Sequence, residues 1–390
     1  MVMIDDSFHF YYFSCLTSVD SSLFSIMFMS KDKKKKKNAS RNRERLLSYE
    51  NDACNTAIDD DGTQVEEKEK ELKKRRKTSG TRRTRHQPPQ TNPGKEAYQF
   101  FVKHTCSTGI QGLLDEFNDI KKQTQAIGAT PKIAFDSNPT KNRYKDVYCV
   151  DESRVVLQDP NGLNTYIHAN FVPVDDKHKY ICTQGPIPTT IDDFWRMVWQ
   201  EQCKSILMLC NIVEQGKKKC EQYWPESGEM QYGTVSVKVV KKVDWLKFMT
   251  RTNLLLTVGT DTLEVEHIQW NDWPDRGVPL DVQACVHLIT LLGKLSPTVI
   301  HCSAGIGRTG TIVGLDMMLT KLKSGVKTTL KDVVMELRAK RHGSVQMDIQ
   351  YLYMHRVLLT DAVKNNAATK SEIANFINQY EALCKQRGFM

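Results

Sequence analysis

Beyond residue 95 the apolar positions fall into short, regular periods. Ile110, Leu113, Leu114, Phe117 and Ile120 recur at the spacing that puts side chains on one face of a helix. Strand-length runs follow at 154–157, 179–183, 205–211, 233–240, 253–257 and 263–268. Helical spacing returns at 281–293, 308–322, 329–340, 347–363 and 371–386, and Thr298 to His301 reads as a buried strand just ahead of the second of these. Several strand runs succeed one another with no helix-length segment between them, so some must pair antiparallel. The pattern predicts an α/β fold, a central twisted mixed sheet flanked by helices. No internal repeat is visible.

The first 95 residues carry no such period. Residues 31–45 net +7, residues 46–70 net −6 and residues 71–85 net +7, with almost no large apolar side chains among them. Blocks of like charge cannot bury enough surface to fold, so 1–95 is expected to be a disordered, charged extension and 96–390 a single folded domain. Pro88-Pro89 and Pro93-Gly94 punctuate the boundary. Composition agrees, since two thirds of the overall +9 lies in this first quarter and the mean hydropathy is −0.47. The basic runs Lys33 to Lys37 and Lys73 to Lys77 read first as solvated tail and second as a surface for an acidic partner or a nuclear-import receptor; nothing here requires nucleic acid.

Residues 8–29 look apolar, yet they include His9, Asp20 and six Ser or Thr residues, and Asp5 and Asp6 stand where a signal peptide would be basic. Neither a membrane span nor a signal peptide is expected; an anchor flanked by the 31–37 basic run is the alternative. Eleven cysteines at irregular spacing suit a reducing compartment, so a cytoplasmic, non-receptor protein is expected, with the nucleus as the alternative. No Cys-x2-Cys or His-x3-5-His pair occurs, and no metal or cofactor is expected.

The chemistry is concentrated in Thr298 to Leu322, TVIHCSAGIGRTGTIVGLDMMLTKL. A buried strand turns through glycines into a helix whose apolar face is Ile312, Leu315, Leu319 and Leu322. Such a turn aims backbone N–H groups and the positive helix end at one point, an anion site for which phosphate is the natural ligand. A cysteine in that field, Cys302, has its thiol acidified toward the reactive thiolate. Arg308 can close the site, because its planar fork matches two phosphoryl oxygens. Read singly, Cys302 would be a core cysteine and Arg308 a surface charge; the Cys-x5-Arg spacing between strand and helix favours attack on phosphorus through a thiophosphate intermediate.

On these residues the sequence resembles the protein tyrosine phosphatase family, whose signature His-Cys-Ser-x-Gly-x-Gly-Arg-Thr/Ser-Gly is matched completely by residues 301–310. The resemblance covers roughly 96–363 and recurs in KNRYKDV (141–147), YICTQGP (180–186), Phe194-Trp195, CEQYWP (220–225), Trp273-Pro274-Asp275 and VQMDIQY (345–351). It implies a cysteine-phosphatase architecture and hydrolysis of phosphotyrosine in proteins. It also implies roles. Cys302 is the nucleophile and Arg308, with Ser303, Ala304, Gly305, Ile306 and Gly307, holds the phosphate. Asp275 on a mobile loop with Trp273 is the general acid, since a phenolate departs poorly unless protonated. Gln346 and Gln350 position water, Thr309 eases thiolate departure, and His301 tunes the thiolate from behind. Tyr144 sets pocket depth against the substrate ring, Asp146 holds the substrate backbone, Glu214 orients Arg308, and Lys219 approaches the acid loop.

Two positions depart from the family pattern, His168 where Asn is usual and Arg276 where an aromatic or His commonly follows Trp-Pro-Asp. The rival readings are a dual-specificity or lipid phosphatase and a phosphotyrosine-binding scaffold with weak activity. Uncharged Ser303, Ala304 and Ile306, together with Tyr144, argue against the first. The presence of Cys302, Arg308 and Asp275 together argues against the second.

Overall fold

In the computed structural model the described residues are 92–126, 131–159, 162–246 and 248–389. The charged extension expected over 1–95 lies, up to residue 91, outside them. Asn92 caps the first described helix by accepting the Lys95 N–H through Oδ1 (3.1 Å). Helix α1 then runs Pro93–Ala126, bent at Gly109, with Pro93 at the first helical position, where a missing N–H costs nothing. The Pro-Gly pair that reads as punctuation is thus a helix start.

Among the described residues there are eleven strands: β1 Arg154–Val156, β2 Tyr166–Pro173, β3 Lys179–Thr183, β4 Ser205–Met208, β5 Val213–Glu214, β6 Lys217–Lys218, β7 Glu229–Tyr232, β8 Val235–Leu246, β9 Met249–Val258, β10 Asp261–Trp270 and β11 Thr298–His301. Nine form one sheet in the order β1-β2-β3-β11-β4-β10-β9-β8-β7, and β5 and β6 make a separate small hairpin. The middle four, β3, β11, β4 and β10, are parallel neighbours, and antiparallel strands extend both edges. Strands β4 and β11 are buried at every position, as expected of parallel strands covered on both faces.

Besides the short helix α2 (Ile133–Asp136), the later helices are α3 Ile191–Gln200, α4 Val282–Leu292, α5 Arg308–Lys323, α6 Leu330–Lys340, α7 Asp348–Lys364 and α8 Lys370–Gln386. Four of them, α5 to α8, pack against α1. Helix α6 begins with a reciprocal cap in which Thr329 and Asp332 satisfy each other's backbone N–H groups. Because β11, β4 and β10 run parallel, the segments leaving their C-terminal ends, 302–307, 209–214 and 271–277, emerge on one side of the sheet. That edge is where open α/β sheets place ligands.

Candidate active site

Segment 302–307 leaves β11 and enters α5 at Arg308. The four carbonyls from Ser303 to Ile306 accept hydrogen bonds from groups outside the turn. Ser303 O accepts from Gly185 N (2.9 Å), Ala304 O from Arg341 Nη2 (3.1 Å), Gly305 O from Arg341 Nε (3.1 Å) and Ile306 O from Val345 N (2.9 Å). With its oxygens turned outward, the loop presents its N–H groups inward, and Gly305 N donates to Cys302 Sγ at 3.3 Å. Gly305 has φ +69°, and a Cβ there would stand 2.0 Å from Thr183 O, so only glycine fits.

Arg308 is buried and held on three sides. It meets Glu214 through two 2.6 Å bonds, donates to the carbonyls of Leu209 (2.7 Å) and Trp273 (3.2 Å), and reaches Asp275 Oδ1 at 2.9 Å. Burial pulls its pKa down, but Glu214 and the Cys302 sulfur outweigh burial and leave it raised. Lys219 Nζ meets the other oxygen of Asp275 at 2.6 Å. Burial alone would raise the Asp275 pKa; Lys219 and Arg308 together hold it below the usual carboxylate range. Trp273, two residues before Asp275, is buried, with its indole N–H on Gly277 O (3.0 Å).

One cavity gathers most of the residues read from the sequence: Tyr144, Asp146, Lys219, Asp275, Cys302, Ser303, Ala304, Gly307, Arg308, Gln346 and Gln350. Ser303 Oγ donates to Lys219 O, so Tyr144 OH is the donor in its 2.9 Å bond to Ser303 Oγ. Asp146 is exposed at the rim. Gln346 Oε1 and Gln350 Nε2 lie 3.2 and 3.3 Å from where a Gly307 Cβ would stand. Gln350 Oε1 accepts the N–H groups of Gln346 and Met347, both at 3.1 Å, which fixes its amide beside the loop. The remaining candidates sit behind the cavity. Thr309 Oγ1 is buried and has no hydrogen-bond partner in the structure. His301 bonds Tyr223 OH (2.8 Å), and Tyr223 OH also meets His267 (2.7 Å). Burial pushes the His301 pKa down to about 4, so the ring is neutral at pH 7.

A family model described as protein-tyrosine phosphatase matches residues 138–360, more than half of the chain. The chain belongs to the protein-tyrosine phosphatase family. It is 41% identical to a Lar-like tyrosine-protein phosphatase of Caenorhabditis elegans, over 60% of this chain and 11% of that protein. It is 32% identical to the receptor-type tyrosine-protein phosphatase eta of Gallus gallus, over 71% of this chain and 20% of that one. The match thus spans a tenth to a fifth of these curated relatives. Among solved structures it is similar to the catalytic domain of human protein tyrosine phosphatase non-receptor type 18 (TM-score 0.63, 32% identity, covering 68% of this chain and 99% of that one). It is also similar to PTPN18 in complex with HER2 phosphopeptides (TM-score 0.64, 32% identity, with the same two coverages).

The structure adds supports that the family motifs did not single out. Arg341 braces two loop carbonyls. Arg143 ties the Tyr144 loop to the carbonyls of Gly185 (2.9 Å) and Pro186 (2.6 Å). Tyr223 bridges His301 and His267. Of the two departures, His168 bonds Val147 O (2.8 Å) and Arg341 Nη1 (3.0 Å), and Arg276 is exposed at φ +58°, a backbone region costly for a residue with a side chain. Among the described residues no cluster of His, Cys, Asp or Glu is placed to hold a metal ion, and no helix is long and apolar enough to cross a membrane.

Proposed function

We propose that the chain hydrolyses phosphotyrosine in proteins through a phosphocysteine intermediate. The observation that carries this reading is the Cys302 sulfur lying in an inward-facing N–H cradle, with Arg308 and Asp275 on the same cavity. Cys302 Sγ attacks phosphorus in line, the bond to the phenolic oxygen breaks, and Arg308 with the loop N–H groups carries the charge on the equatorial oxygens. Asp275 supplies the proton to the leaving phenolate. Its bond to Arg308 Nη2 competes with the phosphoryl group for that donor, so a bound phosphoryl dianion both releases the carboxylate and places negative charge beside it. Both effects raise its pKa toward the protonated form that donation requires. In the second step Asp275 takes a proton from a water beside Gln346, that water's oxygen bonds to phosphorus, and the P–S bond breaks to return the thiolate.

Tyr144 supports tyrosine as the substrate residue, because it lines the cavity with its hydroxyl tied to the cradle residue Ser303, which offers an aromatic wall for a substrate ring. The HER2 phosphopeptides bound by PTPN18 support a peptide substrate of this kind. A cytoplasmic, non-receptor setting belongs to the same proposal. It is supported by nine free cysteines among the described residues and by a nucleophile that needs reducing conditions. So does an acidic partner or import receptor for the basic runs of residues 33–37 and 73–77. The direct test is turnover of a phosphotyrosine peptide by purified protein and by its Cys302→Ser variant. Wild-type turnover is expected, with the variant inactive yet still binding the peptide; hydrolysis by Cys302→Ser would eliminate the thiolate mechanism.

A further inference from the structure

Arg341 follows α6 and is 0% exposed, beneath the phosphate loop. Its four hydrogen bonds go to Gly305 O (3.1 Å), Ala304 O (3.1 Å), His168 Nδ1 (3.0 Å) and Asn170 Oδ1 (2.8 Å). All four acceptors are neutral, and among the described residues no carboxylate forms an ion pair with it. His168 is neutral because Arg341 Nη1, which can only donate, faces its Nδ1 at 3.0 Å, while its Nε2 faces Val147 O at 2.8 Å. A carbonyl only accepts, so Nε2 carries the hydrogen and Nδ1 keeps the lone pair that meets the guanidinium. Burial, with Arg341 adjacent, pushes the His168 pKa down to about 3. The contrast with Arg308 is direct, since Arg308 has its charge met by Glu214 in a two-bond pair.

A buried guanidinium without a counter-ion is costly, and its field is little screened. Here that field is aimed. The Ala304 and Gly305 peptide units point their oxygens at Arg341 and their N–H groups toward the cradle, so a cation behind the oxygens strengthens the donors in front. We propose that Arg341 takes the anion held in the cradle, the Cys302 thiolate and then the bound phosphoryl dianion, as its counter-ion, because the positioning residues His168 and Asn170 offer it only neutral acceptors. The inference rests on reading the loop as a phosphate site. His168, the departure from the family pattern, then has a defined role: it links the Val147 carbonyl, next to Asp146, to the brace under the cradle without cancelling the brace's charge.

The test is to place a carboxylate on Arg341 from either side in the full-length chain. His168→Asp and Asn170→Asp do so, and His168→Asn is the neutral comparison that keeps an acceptor and a donor. Tungstate dianion is the probe, with affinity read by competitive inhibition of aryl phosphate hydrolysis and by calorimetric titration. Melting temperature is read without oxyanion. Tungstate affinity is expected to fall about tenfold or more in His168→Asp relative to His168→Asn, and similarly in Asn170→Asp relative to wild type. The anion-free melting temperature should hold or rise in the acidic variants, because the buried charge gains a partner. A merely structural role would lower both quantities together, and that result in both acidic variants overturns the inference. Unchanged tungstate affinity in well-folded acidic variants overturns it as well, while leaving the phosphate site intact. Failure of the wild-type chain to bind tungstate at all would remove the phosphate reading and the inference with it.

Discussion

Asp275 is the residue on which the pocket's charge balance turns. Lys219 and Arg308 hold it ionised, at 2.6 and 2.9 Å, so its acid form depends on substrate displacing Arg308. Asp275→Ala should therefore lower kcat by about 10²–10⁴ on phosphotyrosine, the range for a lost general acid. The deficit should shrink on aryl phosphates whose leaving groups need no proton, and a steady-state series over leaving-group pKa measures this. An equal deficit across the series would assign Asp275 a positioning role only. That Cys302 and Arg308 share one cavity was legible in the sequence because both lie in one ten-residue stretch whose spacing has a chemical meaning. Arg341 was not. It closes a run, RAKR, that reads as the basic end of a helix, and its partners at 168, 170, 304 and 305 come together only in the folded chain.

At the scale of elements, the strand–turn–helix around Cys302 depends on a glycine that no side chain can replace. Gly305→Ala should force the loop away from Thr183, misplace the N–H donors, and reduce kcat/KM by about 10²–10³, the cost of losing one such donor. A fully active Gly305→Ala variant would show that the turn is more plastic than its geometry. Thr329→Ala, by contrast, removes the cap of α6 far from the cavity and should cost about 1 kcal/mol of stability in urea titration. Helices α4 to α8 were readable to within a residue or two because their apolar residues recur at helical spacing, even in α5 and α7, which are buried nearly all round. Strand β2 was missed because all of Tyr166 to Asn170 is buried, so polar His168 and Asn170 break what would otherwise be an apolar run. Helix α3 was missed because Asp192 and Asp193 open it and Trp and Phe side chains dominate its short length; Asp193 is buried against Lys141 rather than exposed. The apolar run 205–211 is cut short at Met208 because Leu209 leaves the ladder to give its carbonyl to Arg308.

Across the whole molecule, buried histidines set the response to acid. Burial holds His168, His267 and His355 at about 3 and His301 at about 4, each far below the ordinary value. They are spread over β2, β10, α7 and the end of β11, and His355 reaches α1 through Thr105 (2.9 Å). An unfolded chain protonates such rings below about pH 6.5, while the native rings stay neutral down to their lowered values, so the unfolded state binds more protons in between. Stability from these rings is fully present above pH 6.5 and falls as pH drops toward 3 to 4. Each ring can contribute a slope of about 1.4 kcal/mol per pH unit, or about 2 kcal/mol lost between pH 7.5 and 5. Urea midpoints at pH 7.5, 6 and 5 should therefore decline steeply, and His355→Gln should flatten the decline by one proton because its ring is remote from the cavity. A midpoint that held steady or rose on acidification would mean that these rings gain charged partners in the native state, and the neutral network through Tyr223 and Arg341 would have to be redrawn.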